Sequence, residues 1–125
     1  MAGELLADYC LDAALSKLDT EANRLDICSA APTTYTEATS TYSKGNKTSL
    51  SVGAPGDRSP NGRKVTVAAI TDGSVTATAT VTHWAIVDTV NSRLLAAGPL
   101  AASQAVTNGN TFTLAAFDIG ITDAT

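Results

Sequence analysis

Residues 80–100, TVTHWAIVDTVNSRLLAAGPL, restrict the fold more than any other stretch of this chain. Thr82, Trp84 and Ile86 recur at every second position, and Val81, Ala85 and Val87 fill the alternate ones. A period of two marks a strand, and a strand apolar on both faces must be covered on both. Asp88 to Ser92 carries turn chemistry, and Arg93 to Ala97 is the expected return strand. Such a pair needs a sheet around it.

The residues on either side supply one. Lys64 to Ile70 alternates, with Val65, Val67 and Ala69 expected on one face. Thr71-Asp72-Gly73-Ser74 carries the Asp-Gly signal of a hairpin turn, and Val75 to Ala79 is expected to return with a threonine ladder exposed. Pro99 is expected to end strand 93–97 or to sit at a sheet edge. After the Asn108-Gly109-Asn110 turn, Thr111 to Ala115 and Phe117 to Ile121 close the series, with Phe112, Leu114, Phe117, Ile119 and Ile121 inward.

The first third reads differently. From Gly3 to about Glu21, Leu6, Ala7, Cys10, Leu11, Ala14, Leu15 and Leu18 share one arc of a helix, opposite Asp8, Asp12, Ser16 and Asp19. Leu5 and Tyr9 fall outside the arc as exposed residues or subunit contacts. Asn23 to Ala31 is an expected strand ended by Pro32. Thr34 with Glu37 three residues on has the spacing of a capping box, so a short helix within 33–42 is expected. Ser43 to Arg63, with four glycines, two prolines and two asparagines, is expected as a long loop or arm.

The 125 residues fit one domain, 1–125: helix 1–22, strand and short helix 23–42, extended loop 43–63, and β core 64–121. The expected class is mainly β, an antiparallel β-sandwich or half-barrel of about seven strands with an N-terminal amphipathic helix and a long basic loop. Hydrophobic residues make up 44% of the chain and aromatics 5%, so the core must be aliphatic.

The net charge of −4 is unevenly spread. Residues 1–40 carry −5, residues 41–64 carry +4 and residues 65–125 carry −3. An acidic total argues against a nucleic acid partner, which needs a basic surface. The alternation would let identical subunits attract head to tail through Lys44, Lys47, Arg58, Arg63 and Lys64 on one side and Asp8, Asp12 and Tyr9 on the other. The plain alternative is a set of solvated charges on a loop. No basic n-region precedes an apolar N-terminal run, and no run approaches a membrane span, so cytoplasmic synthesis is expected.

Reactive constellations are sparse. His83 is the one histidine and has no nucleophile elbow or orienting carboxylate in its pattern, so a half-buried strand residue bonded to threonine or backbone is expected. Asp118 and Asp123 are too sparse for a calcium loop, and no cofactor or metal is expected. Trp84 reads as core rather than as a sugar platform. Cys10 and Cys28 are expected as reduced thiols, with a disulfide joining first helix to first strand as the sharper alternative. The chain reads as a structural or binding protein rather than an enzyme.

Four segments carry a resemblance: LADYCLDAALSKLDTEANRLDICSAAPTTYTEATSTYS, GRKVTVAAITDGSV, THWAIVDTVNSRLLAAGPL and QAVTNGNTFTLAAFDIGI. Together they resemble a family of small virion structural proteins of tailed bacteriophages. The shared features are the N-terminal helix, a strand exit through Cys28-Ser29 and Pro32-Thr33-Thr34-Tyr35, the strand Thr82-His83-Trp84-Ala85, the return Leu94-Leu95-Ala96 and the final hairpin at Asn108-Gly109. The resemblance implies a non-enzymatic virion component present in many copies, most simply a capsid decoration protein binding the head exterior and neighbouring subunits. The alternative it implies is a collar, tail or tail-fibre component. In that role a glycan-binding module would draw on Tyr9, Tyr35 or Tyr42. The implied partners are other virion proteins and further copies of the chain, with no membrane or nucleic acid.

Overall fold

A computed structural model describes residues 7–59 and 62–121, and for Asp8 it describes the backbone alone. The fold is mainly β: a curled six-stranded antiparallel half-barrel, a three-stranded sheet and an N-terminal helix. In chain order the elements are helix α1 (Asp8–Glu21), β1 (Arg24–Cys28), a π-helical turn (Glu37–Thr41), β2 (Ser43–Thr48), β3 (Gly56–Asp57), β4 (Arg63–Val67), β5 (Ile70–Val75), β6 (Ala79–Asp88), β7 (Arg93–Val106), β8 (Thr111–Leu114) and β9 (Phe117–Ile121). The large sheet runs β7-β6-β1-β2-β5-β8 and the small one β3-β4-β9.

Strand β6 lies between β7 and β1, as its doubly apolar pattern demands, and Ala85 to Asp88 are buried. Its alternation is interrupted, however. The pairing jumps from Val81 opposite Gln104 to His83 opposite Pro99. The extra residues of that bulge lie on β7, Leu100 to Ser103 against Thr82 alone. Along β6 itself, Val81 joins Ile86 and Trp84 in the main core, whereas Ala85 and Val87 cover a smaller core with Cys28 and Ala38 beneath the π-helical turn. Strict parity had put Val81 with Ala85 and Val87.

Helix α1 lies against β4 through Leu11, Leu15 and Leu18, all buried. Its N-cap, Ala7, offers no side-chain acceptor. A cap contributes about 1 kcal/mol, whereas each buried leucine contributes roughly 1.5–3 kcal/mol, so packing holds this helix. Cys10 and Ala14, expected inside, are exposed, which narrows the apolar arc to the three leucines. Leu5 and Leu6 lie outside the described residues.

Two expectations need correction. Ser43 to Arg63 is not an arm. Its first part is β2, paired with β1 on one side and β5 on the other, and Val52 bridges Val67. The sequence SKGNKT is polar, yet Gly45 belongs in a strand. A Cβ there would stand 3.1 Å from the Cα of Val75 and closer still to the Ser74 carbonyl oxygen. Glycine is what lets β2 and β5 approach.

Asp72-Gly73 is not a hairpin turn either. Strand β5 passes straight through it and pairs with β2 and β8, so the expected 64–70 and 75–79 hairpin does not form. Between Ile70 opposite Leu114 and Gly73 opposite Phe112, β5 carries one extra residue, a bulge. Gly73 is small because the Phe112 ring lies against it. The two glycines with positive φ among the described residues are Gly62, at 93°, and Gly109, at 89° in the last hairpin.

Among the described residues nine strands form where about seven were expected, and the strand read over 64–70 ends at Val67, but three other local expectations agree with the structure. Pro99 lies on an edge strand, and Asp88 to Ser92 turns β6 into β7. The Thr34 hydroxyl accepts the Glu37 N–H at 3.1 Å, while the Glu37 carboxylate accepts the Thr33 N–H at 2.8 Å. This capping arrangement opens the short helical segment, which then continues as a π-helical turn.

Candidate functional site

The ends of the half-barrel sheet, β7 and β8, do not pair with each other. Between them and the start of β9 lies an open cleft of about 750 Å³. Trp84, Pro99, Leu100, Leu114, Ala116 and Phe117 form most of its apolar lining. The indole of Trp84 reaches the cleft because Gly98 stands opposite it on β7, where a Cβ would come within 2.8 Å of the ring. The Phe117 ring meets the indole at 4.7 Å between centroids, tilted by 42°. Trp84 is thus half core and half cleft floor.

The bulge in β7 builds the lip. Four residues of β7, Leu100 to Ser103, have no register partner on β6. No strand lies on the outer side of β7 among the described residues. Ala101 to Ala105 are exposed. The one charged residue lining the cleft is Asp118. Thr66 Oγ1 donates to its carboxylate at 2.7 Å and Lys64 Nζ does so at 3.0 Å. These contacts, the Thr66 hydroxyl first, hold Asp118 below the usual carboxylate range. An aromatic floor, an aliphatic lip and a neutralised rim suit non-covalent binding of an apolar segment.

The charged residues read from sequence as assembly contacts mostly satisfy one another within the chain. Arg63 Nε donates to Asp12 at 2.7 Å, and Arg63 also bonds Asp57, so it fastens α1, β3 and β4 together. Lys47 meets Asp72 at 2.9 Å across β2 and β5. Lys64 holds Asp118, and the Arg58 side chain lies over Gly120. Lys44 is half-buried, and its carbonyl accepts the Thr76 N–H at 2.8 Å. Lys47, Arg63 and Lys64 thus make ties within the chain to Asp72, Asp12, Asp57 and Asp118. The side chain of Asp8 lies outside the described residues. Tyr9 is 84% exposed. Tyr35 and Tyr42 pack on the small core and do not form an open platform.

The cysteines are free, Cys10 exposed and Cys28 buried, which corrects the disulfide alternative. Burial, reinforced by the charge of Asp26, pushes the Cys28 thiol up to about 12. Its Sγ lies 3.6 Å from the Ala38 carbonyl oxygen. Asp26 is fully buried, and Arg24 donates to both of its oxygens at 2.7 Å while Ser43 Oγ donates at 2.6 Å. This network was not read from the sequence. Its signal was an arginine two positions before an acid on one strand, which places both on one face.

His83 is half-buried, with Nδ1 2.8 Å from Thr82 Oγ1, as expected of a strand residue. Among the described residues no three or more His, Cys, Asp or Glu side chains gather to hold a metal ion. No family model, curated protein or solved structure matches the chain.

Proposed function

We propose that this chain is a structural component of a tailed-phage virion, a non-enzymatic capsid decoration or accessory protein that works by docking its surface. The virion part of the reading rests on the four resembling segments. The docking part rests on one observation, the largely apolar cleft between the two unpaired sheet ends, whose one charged lining residue, Asp118, is paired with Lys64. Docking then depends on the cleft rather than on residues 43–63, whose first six residues are the central strand β2. Many weak copies on one particle would act together through multivalency.

Cosedimentation of the purified chain with particles of a phage that encodes it tests the proposal. Saturable binding is expected, and Ala116→Arg, a change at an exposed cleft residue, is expected to abolish it with the melting temperature unchanged. Absence of the chain from purified particles, with no binding to added ones, defeats the reading. Binding to isolated tails but not to heads moves the protein to the collar or tail.

A further inference from the structure

Residues 94–117 contain no Asp, Glu, Lys, Arg or His. That stretch of 24 residues builds nearly all of β7, all of β8, the hairpin between them and most of the cleft lining. Every ionisable side chain of the protein lies elsewhere. An exposed edge strand ordinarily carries charges that discourage pairing. Here Pro99 is the edge's one proline and no lysine guards it.

Within this neutral edge, Leu100 to Ser103 belong to β7 but have no register partner on β6, and among the described residues no strand lies on their outer side; Ala101 to Ser103 are exposed. Backbone donors and acceptors in an extended row are matched along their length by another extended strand. The molecule carries −4, so two copies meeting through their charged surfaces repel. The neutral edge is where that repulsion is weakest. Antiparallel self-pairing about a twofold axis also brings a segment against itself, so its leucine and alanines meet a surface of their own kind.

We propose that the β7 edge, centred on Leu100 to Ser103, is a self-association surface. Two copies pair β7 to β7, antiparallel, and the two six-stranded sheets become one continuous sheet across the twofold. The partner is a second copy of this chain. The proposal does not depend on the virion reading, because no particle takes part.

Analytical ultracentrifugation of the purified chain tests it. A reversible dimer is expected below about 100 µM, as suits a small interface. The pair Ala101→Lys with Ser103→Lys puts like charges on the edge at exposed positions, and is expected to raise the dimer dissociation constant at least tenfold with unchanged melting. Hydrogen exchange supplies a readout on the unsubstituted protein. The amides of residues 100–103 are expected to gain protection as concentration rises across the dimer transition. A monomer throughout that range overturns the proposal, as does a dimer that ignores the lysines while 100–103 stay unprotected. Because Leu100 to Ala102 also line the cleft, particle binding is read below the dimer transition, where a monomer that fails to bind particles would defeat the virion reading and leave this one standing.

Discussion

Replacing Gly73 by alanine separates a strand glycine from a turn glycine. The backbone there is not left-handed, so alanine meets no φ penalty, and reduced freedom of the unfolded chain would stabilise by about 0.4–1 kcal/mol. Space is the obstacle. The added methyl would stand 2.6 Å from Phe112 Cδ1 and closer to Cε1 and Cζ, where carbon atoms settle at about 3.5–4 Å. Phe112 is 4% exposed and cannot swing out freely. The ring must retreat by about 1 Å into the core, an overpacking cost of about 1–3 kcal/mol. For a chain of this length the melting temperature falls by roughly 3–6 °C per kcal/mol. Phe112→Leu alone costs about 1 kcal/mol or more by thinning the core. The double variant is expected to be more stable than the two singles added together, by at least about 1 kcal/mol, because leucine vacates the space the methyl needs. Urea unfolding with an unchanged m-value measures all four corners of the cycle. Additive singles, or a stabilising Gly73→Ala, would refute the contact and restore the turn.

Two further outcomes follow from the turn after β6 and from the thiols. The Asp88 carboxylate accepts the Asn91 side-chain amide at 2.8 Å and the Val90 N–H at 2.9 Å, and these contacts, the amide first, hold it below the ordinary carboxylate range. Its contribution is present above the unfolded value near 3.9 and lost as the pH falls through the folded value. Asp88→Ala is therefore expected to melt earlier than the parent at neutral pH, with the gap narrowing below about pH 4, and a gap constant across calorimetric scans down to strong acid would contradict the cap. A thiol-specific alkylating reagent at mildly alkaline pH is expected to label Cys10 alone in the native protein and Cys28 only after denaturation, since the second thiol is buried and raised to about 12; intact mass reads the count, and two native labels or none in denaturant would contradict the assignment.

The readable part of this fold was the part set by local apolar alternation. Trp84, Ile86 and Val87 announced a covered strand because burial on two faces leaves no room for polar residues. Features set by distant partners were opaque. Gly73 answers to Phe112 and Gly45 to β5, and neither partner is a sequence neighbour. The basic density of 41–64 looked like a surface because Asp12, Asp72 and Asp118, which meet those charges, lie in other elements. Parity changes between Val81 and Trp84 within the strand that otherwise read most clearly. The cleft had a visible sign in the neutral run 94–117, whose length stood out against charges placed throughout the rest of the chain.

Strand β4 takes α1 on its face and β9 along its side, with Val65 opposite Ile119 and Arg63 fastened to Asp12. The consequence is one of timing. During synthesis, residues 8–21 leave the ribosome well before residues 117–121, which pair along the side of their seat, so the helix waits through most of this stretch with its three leucines uncovered. Docking of α1 should therefore be among the last steps of folding.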